Sequence, residues 1–167
     1  MSSMFCYQCQ ETARNQGCTT VGVCGKKPEV ANAQDLLIWN CKGLSVLAGR
    51  LRAAGHPVSK TVNHLVTGSL FMTITNANFD LDAIERRIEA VLDAKTELAA
   101  VLGRPGNLPE AASWDVRDRS LWSEKSAAVG VLATENEDIR SLRELIVYGL
   151  KGLSAYSKQT TDRKSVV

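Results

Sequence analysis

Four cysteines, Cys6, Cys9, Cys18 and Cys24, follow one another in a C-x2-C-x8-C-x5-C pattern close to the N-terminus. The same stretch holds Gly17, Gly22 and Gly25 among polar residues such as Gln8, Gln10, Glu11, Thr12 and Asn15. It shows neither a helical stripe nor a sustained alternation, and it is too polar to bury a core. Such a segment needs a staple, and four thiolates around a metal centre supply one. Structural zinc usually pairs two tight C-x2-4-C knuckles, and only Cys6–Cys9 is tight here. A cubane takes one thiolate at each of four irons, so unequal spacings suit it better. The spacing therefore favours an iron–sulfur cubane over zinc, and disulfides least. The fifth cysteine, Cys41, lies in the apolar run from Leu36 to Leu44 and reads as a small buried hydrophobe.

The remaining composition narrows the classes. The 167 residues are 44% hydrophobic and 23% charged, a globular balance. A net charge of +2 gives no reason to expect a nucleic-acid or membrane-surface partner. No apolar run reaches the ~18 residues of a spanning helix. The N-terminus lacks a basic stretch followed by an apolar one, so a cytoplasmic location is expected and the thiols read as ligands before disulfides. There is no P-loop, no G-x-G-x-x-G and no H-E-x-x-H. His56 and His64 read as structural, and the carboxylates around Glu85 and Glu137 as helix surfaces or caps.

Beyond the cysteines the periodicity is helical and the expected class is all-α. Pro28 opens a helix that Gly55, His56 and Pro57 close. A second runs from about Ser59 to Ile74, with Val62, Leu65, Val66 and Leu70 inward. Asp80 caps a third, whose apolar face is Leu81, Ile84, Ile88, Val91, Leu98 and Val101. Its charged residues, Glu85, Arg86, Arg87, Glu89, Asp93, Lys95 and Glu97, read as a solvated surface. The cluster Gly103 to Pro109 is the best internal boundary. After it, 113–122 is mixed, 126–133 reads as a short helix, and Asn136 starts an amphipathic one with Ile139, Leu142, Leu145, Ile146, Leu150 and Leu153. The expected layout is a cysteine-rich loop (1–28), a three-helix-type bundle (29–103) and a second, incomplete one (104–158).

An internal repeat supports two related packing units. Residues 35–45 match 144–154, with Lys42, Gly43, Leu44 and Ser45 recurring as Lys151, Gly152, Leu153 and Ser154. Glycine inside a helix costs about 1 kcal/mol relative to alanine, so its repetition predicts close helix contact at both sites. Trp39, Trp114 and Trp122 read as core.

The run from Met4 through Cys6, Gln8, Cys9, Glu11 and Ala13, then Gly17 and Cys18, then Gly22, Cys24 and Gly25, then Lys27, Pro28 and Glu29, resembles the hybrid-cluster (prismane) proteins. These are also called hydroxylamine reductases and are distant relatives of nickel carbon monoxide dehydrogenases. The likeness continues through Ala33 to Leu37 and Asn136 to Tyr156, spanning about 4–158. It implies two three-helix bundles and a [4Fe–4S] cluster held by Cys6, Cys9, Cys18 and Cys24, the compact-spacing form of strict anaerobes. It also implies reduction of hydroxylamine to ammonia, with nitric oxide also proposed as substrate, at a separate iron–sulfur–oxygen hybrid cluster. The ligands of that cluster lie in later domains that this chain does not carry. The chain is thus expected to be an electron relay fed by an electron-donor protein, joined to missing catalytic domains, and inactive alone. A free-standing iron–sulfur carrier is the alternative, and a structural zinc domain the weaker one. Residues 162–167 match what a common sequencing adapter encodes, so 159–167 are expected to be a non-native tail.

Overall fold

The computed structural model describes residues 4–103 and 106–163. Arg104 and Pro105 of the boundary cluster, and 164–167 of the expected tail, lie outside the described residues. The fold is all-α. Among the described residues six α-helices follow one another: α1 (Pro28–Ala53), α2 (Lys60–Met72), α3 (Leu81–Leu102), α4 (Glu110–Ser113), α5 (Trp122–Val129) and α6 (Glu137–Arg163). Among the described residues there is no β-strand, only an isolated antiparallel bridge between Cys6 and Cys18.

Helix α1 is the central element. Pro28 sits in its first turn, where a missing N–H costs nothing. Leu36, Leu37, Leu44, Leu47 and Leu51 are fully buried, and Cys41 is buried among them. The most extensive packing is between α1 and α3, whose Ile84, Ile88, Val91 and Leu92 are equally inaccessible. Each such side chain contributes roughly 1.5–3 kcal/mol by leaving water. The expected cap forms at Asp80, whose Oδ1 accepts from the Ala83 N–H, and Ser59 caps α2 by accepting from the Val62 N–H. Val101 departs from its expected inward position and is exposed at the end of α3.

After Gly103, the short α4 and then α5 lie against α1, and α6 lies against α2. Gly43 makes the first of these contacts possible: a Cβ there would stand 1.8 Å from the Ala111 carbonyl oxygen. At the repeat position Gly152 the space is open, so the predicted close contact is absent there. Helix α5 begins at Trp122, earlier than the apolar run suggested, because the buried indole anchors it by donating to the Val116 carbonyl at 2.9 Å. It stops at Gly130, and 131–133 form a separate 3₁₀ turn. The four-residue α4 falls before the stretch that the sequence left mixed.

Lys95 contradicts its expected place on a solvated surface. It is only 3% exposed, and its ammonium donates to Asn40 Oδ1 (2.9 Å) and the Trp114 carbonyl (2.6 Å) beside the edge-to-face pair Trp39–Trp114. Burial lowers its pKa to about 8. The neighbouring charges of α3 are met from outside: Arg119 bridges Glu85 and Glu89, and Arg117 bridges Asp93.

Candidate metal centre

The segment before α1 folds on its own backbone hydrogen bonds. Cys6 and Cys18 exchange N–H···O bonds at 3.1 and 2.8 Å, and the Met4 N–H donates to the Thr19 carbonyl. Thr12 closes the turn after Cys9 by donating its N–H and its hydroxyl to the Cys9 carbonyl. A second turn carries Cys24: the Gly22 N–H reaches the Lys26 carbonyl, and the Gly25 N–H the Gly22 carbonyl, both at 2.8 Å. Gly25 has φ +85°, which glycine adopts without strain. A Cβ at Gly22 would press on Cys24 Sγ and Lys26 Cβ at 3.0 Å, so glycine is needed where the chain passes the sulfur. Met4, Cys18 and Ala31 of α1 form a small apolar cluster that seats this loop on the helix.

All four thiols of the loop are free. Cys18 is buried, Cys6 and Cys9 half-buried, and Cys24 exposed. The backbone joins Cys6 to Cys18. Among the described residues no group of three or more Cys, His, Asp or Glu is arranged to hold a metal ion. A cubane takes one thiolate at each of four irons, so its ligands stand around a core wider than a single ion. Four free thiols in a single glycine-bearing loop match that donor set. Cys41 takes no part: burial raises its pKa to about 12, and it packs in the core as a thiol. His56 and His64 are exposed and far from any such role.

A profile of the Prismane/CO dehydrogenase family matches residues 4–162. The chain belongs to that family. Curated relatives include hydroxylamine reductases of Desulfovibrio desulfuricans, 54% identical over 157 residues, and of Clostridium perfringens, 53% identical over 166. The alignments cover 94% and 96% of this chain, but only 29% and 30% of those relatives. A third, from Bacteroides thetaiotaomicron, is 52% identical over 154 residues. The chain therefore spans under a third of the length of the relatives it matches.

Sequence reasoning missed what lies beneath the cysteine loop of this prismane-family chain. Lys26, two residues after Cys24, is buried and donates to Gln34 Oε1 at 2.8 Å. Gln34 in turn donates to the Asn78 carbonyl, and Phe79 covers the ammonium. Lys151 of α6 is buried as well, and its ammonium donates to Gln8 Oε1 and the Thr73 carbonyl, each at 3.1 Å. Burial lowers the pKa of Lys151 to about 8 against the attraction of Asp35. Burial likewise raises Asp35 to about 7, opposed by Lys151. Tyr7 rises to about 12, through burial first and the Glu144 charge second. Tyr7, Gln8, Glu144, Tyr148 and Lys151 line a cleft of about 260 Å³. The repeat paired Lys151 with Lys42, which is exposed on α1; periodicity alone had no means of separating the two.

The outer side of α6 is the second surprise. Val147, Lys151 and Ser154 face inward, whereas Leu142, Leu145, Ile146, Leu150, Leu153 and Tyr156 are 45–71% exposed. Ile146, Leu150 and Leu153 open onto a groove of about 1020 Å³ that reaches Trp39 and Lys42 of α1. Among the described residues no helix is long and apolar enough to cross a membrane.

Proposed function

We propose that this chain is the electron-input segment of a hydroxylamine-reductase-type oxidoreductase, with Cys6, Cys9, Cys18 and Cys24 holding a [4Fe–4S] cluster. The observation that carries the reading is the set of four free thiols in one hydrogen-bonded loop, on a chain about half identical to hydroxylamine reductases. When bound, such a cluster supplies one-electron transfer. The chain's own residues provide the rest. The four thiolates ligate, and the Cys6–Cys18 bridge and the Gly22–Lys26 turn set their spacing. Reduction of hydroxylamine belongs to the hybrid cluster, whose ligands lie outside this segment. Its partners are then an electron-donor protein and the remaining domains of the longer polypeptide, in the cytoplasm.

The test is anaerobic purification, iron and acid-labile sulfide per chain, and EPR after dithionite reduction. About four of each, with the signal of one reduced cubane, is the expected result. Serine at any of the four loop cysteines lowers both contents, whereas Cys41→Ser leaves them unchanged. Zinc without sulfide overturns the reading in favour of a structural zinc domain. Hydroxylamine turnover by this segment above a cluster-free control would show that the chemistry is not confined elsewhere.

A further inference from the structure

We infer that Lys151 is a positioning residue for the cysteine loop, which fixes the Cys6–Cys9 knuckle through Gln8 and raises the reduction potential of the group the thiolates hold. The inference rests on the cluster reading above. Its geometry is independent of it.

Gln8 lies inside the knuckle, between Cys6 and Cys9. Both of its carbonyl groups are held from outside the loop. The side-chain oxygen accepts from Lys151 of α6 at 3.1 Å, and the backbone oxygen accepts from Thr75 Oγ1 at 3.3 Å. The second bond of Lys151, to the Thr73 carbonyl, ties the same ammonium to the end of α2. The knuckle is thus clamped between α6 and the turn that follows α2, two segments remote in sequence.

The charge needs an explanation of its own. A buried ammonium is costly unless paired, yet Lys151 is 5% exposed and, among the described residues, bonds only neutral oxygens. Lys26, 3% exposed beside Cys24, repeats the arrangement with a neutral amide. The carboxylates that act on Lys151 are Asp35 and Glu144, and burial raises the pKa of Asp35 to about 7 against the pull of Lys151 and Lys26. Two buried cations beside four cysteines are poorly matched by those acids alone. Four thiolates around a cubane leave a net negative charge, which grows by one on reduction. A cation held against the knuckle stabilises the reduced form more than the oxidised one, and so raises the potential.

Potentials come from EPR-monitored titration of the cluster-loaded chain, with iron and sulfide measured on each sample. The expected result for Lys151→Met is at least a tenfold fall in the reduced-to-oxidised ratio at fixed potential, equivalent to 59 mV for one electron. Lys151→Arg keeps the potential near that of the parent. Lys42→Met, which removes the exposed lysine at the matching repeat position, leaves it unchanged. Lys151→Gln keeps an N–H donor at this position without the charge, so the potential falls there too; this variant decides the matter if Lys151→Met does not fold. An unchanged potential in a loaded Lys151→Met or Lys151→Gln chain overturns the inference while leaving the cluster reading intact. A parent chain without iron and sulfide overturns both.

Discussion

Helices α3 and α6 carry apolar stripes of similar strength, and they spend them differently. In α3 the stripe of Ile84, Ile88 and Val91 faces α1 and is fully buried. In α6 the stripe is left exposed, part of it along an open groove beside α1, and the side that docks on α2 presents Val147, Lys151 and Ser154. A stripe says that a helix has a face to cover; it does not say what covers it. The polar side of α6 is specific because a buried ammonium demands exact acceptors, whereas its apolar side keeps a surface of the kind that marks an interaction site.

The widest separation between the two helices lies in leucine truncation. Leu44→Ala, in the wall between α1 and α3, is expected to cost about 2–5 kcal/mol in urea unfolding. Leu145→Ala on α6, where the side chain is 67% exposed, should stay within about 0.5 kcal/mol. Equal losses would show that α6 is covered in solution. The repeat glycines sharpen the contrast. Gly43→Ala forces the Ala111 carbonyl to move and should cost about 1–3 kcal/mol. Gly152→Ala meets nothing and should gain up to about 1 kcal/mol of helix propensity, read from the same denaturation curves.

The caps come next. Removing the Asp80 carboxylate that caps α3 should cost about 1 kcal/mol of global stability. Asn136, which caps α6 by accepting from the Ile139 N–H, should instead show its loss first as faster amide exchange along α6. The smallest effect is a slope. Lys95 has a folded pKa of about 8, below its ordinary 10.5, so between these values the unfolded chain holds a proton that the folded chain has released. Stability therefore rises with pH from 8 to 9, and Lys95→Met should flatten that rise by less than about 1 kcal/mol. Above pH 9 buried Cys41, raised to about 12, acts with the opposite sign, so the comparison belongs in that single unit.

Where the sequence was legible, the controlling physics was local. Pro28, Ser59 and Asp80 open helices by chemistry that acts within one turn, and the leucines of α1 announce a core by their number. Gly43 was readable because a glycine inside a helix is costly unless something approaches it. Gly152 made the same announcement without a neighbour to justify it. Lys95 and Lys151 were not legible, because nothing within a few residues distinguishes a lysine that meets water from one that meets Asn40 or Gln8. The four cysteines were legible as a donor set, since thiols at that density have few other uses. The side chains that meet the loop from α6 and from the turn after α2 come from too far along the chain for spacing to reveal them.

The bond between Lys151 and Gln8 has a consequence in time. The knuckle is among the first parts of the chain to be made, and its clamp lies 143 residues later. At about 5–20 residues per second, the loop waits about 7–30 s before the helix that steadies it exists. During that interval its thiols are open to any metal or oxidant in reach. Whatever delivers the right one works either on a loop still unclamped or after α6 has docked, and the two schedules ask for different kinds of delivery.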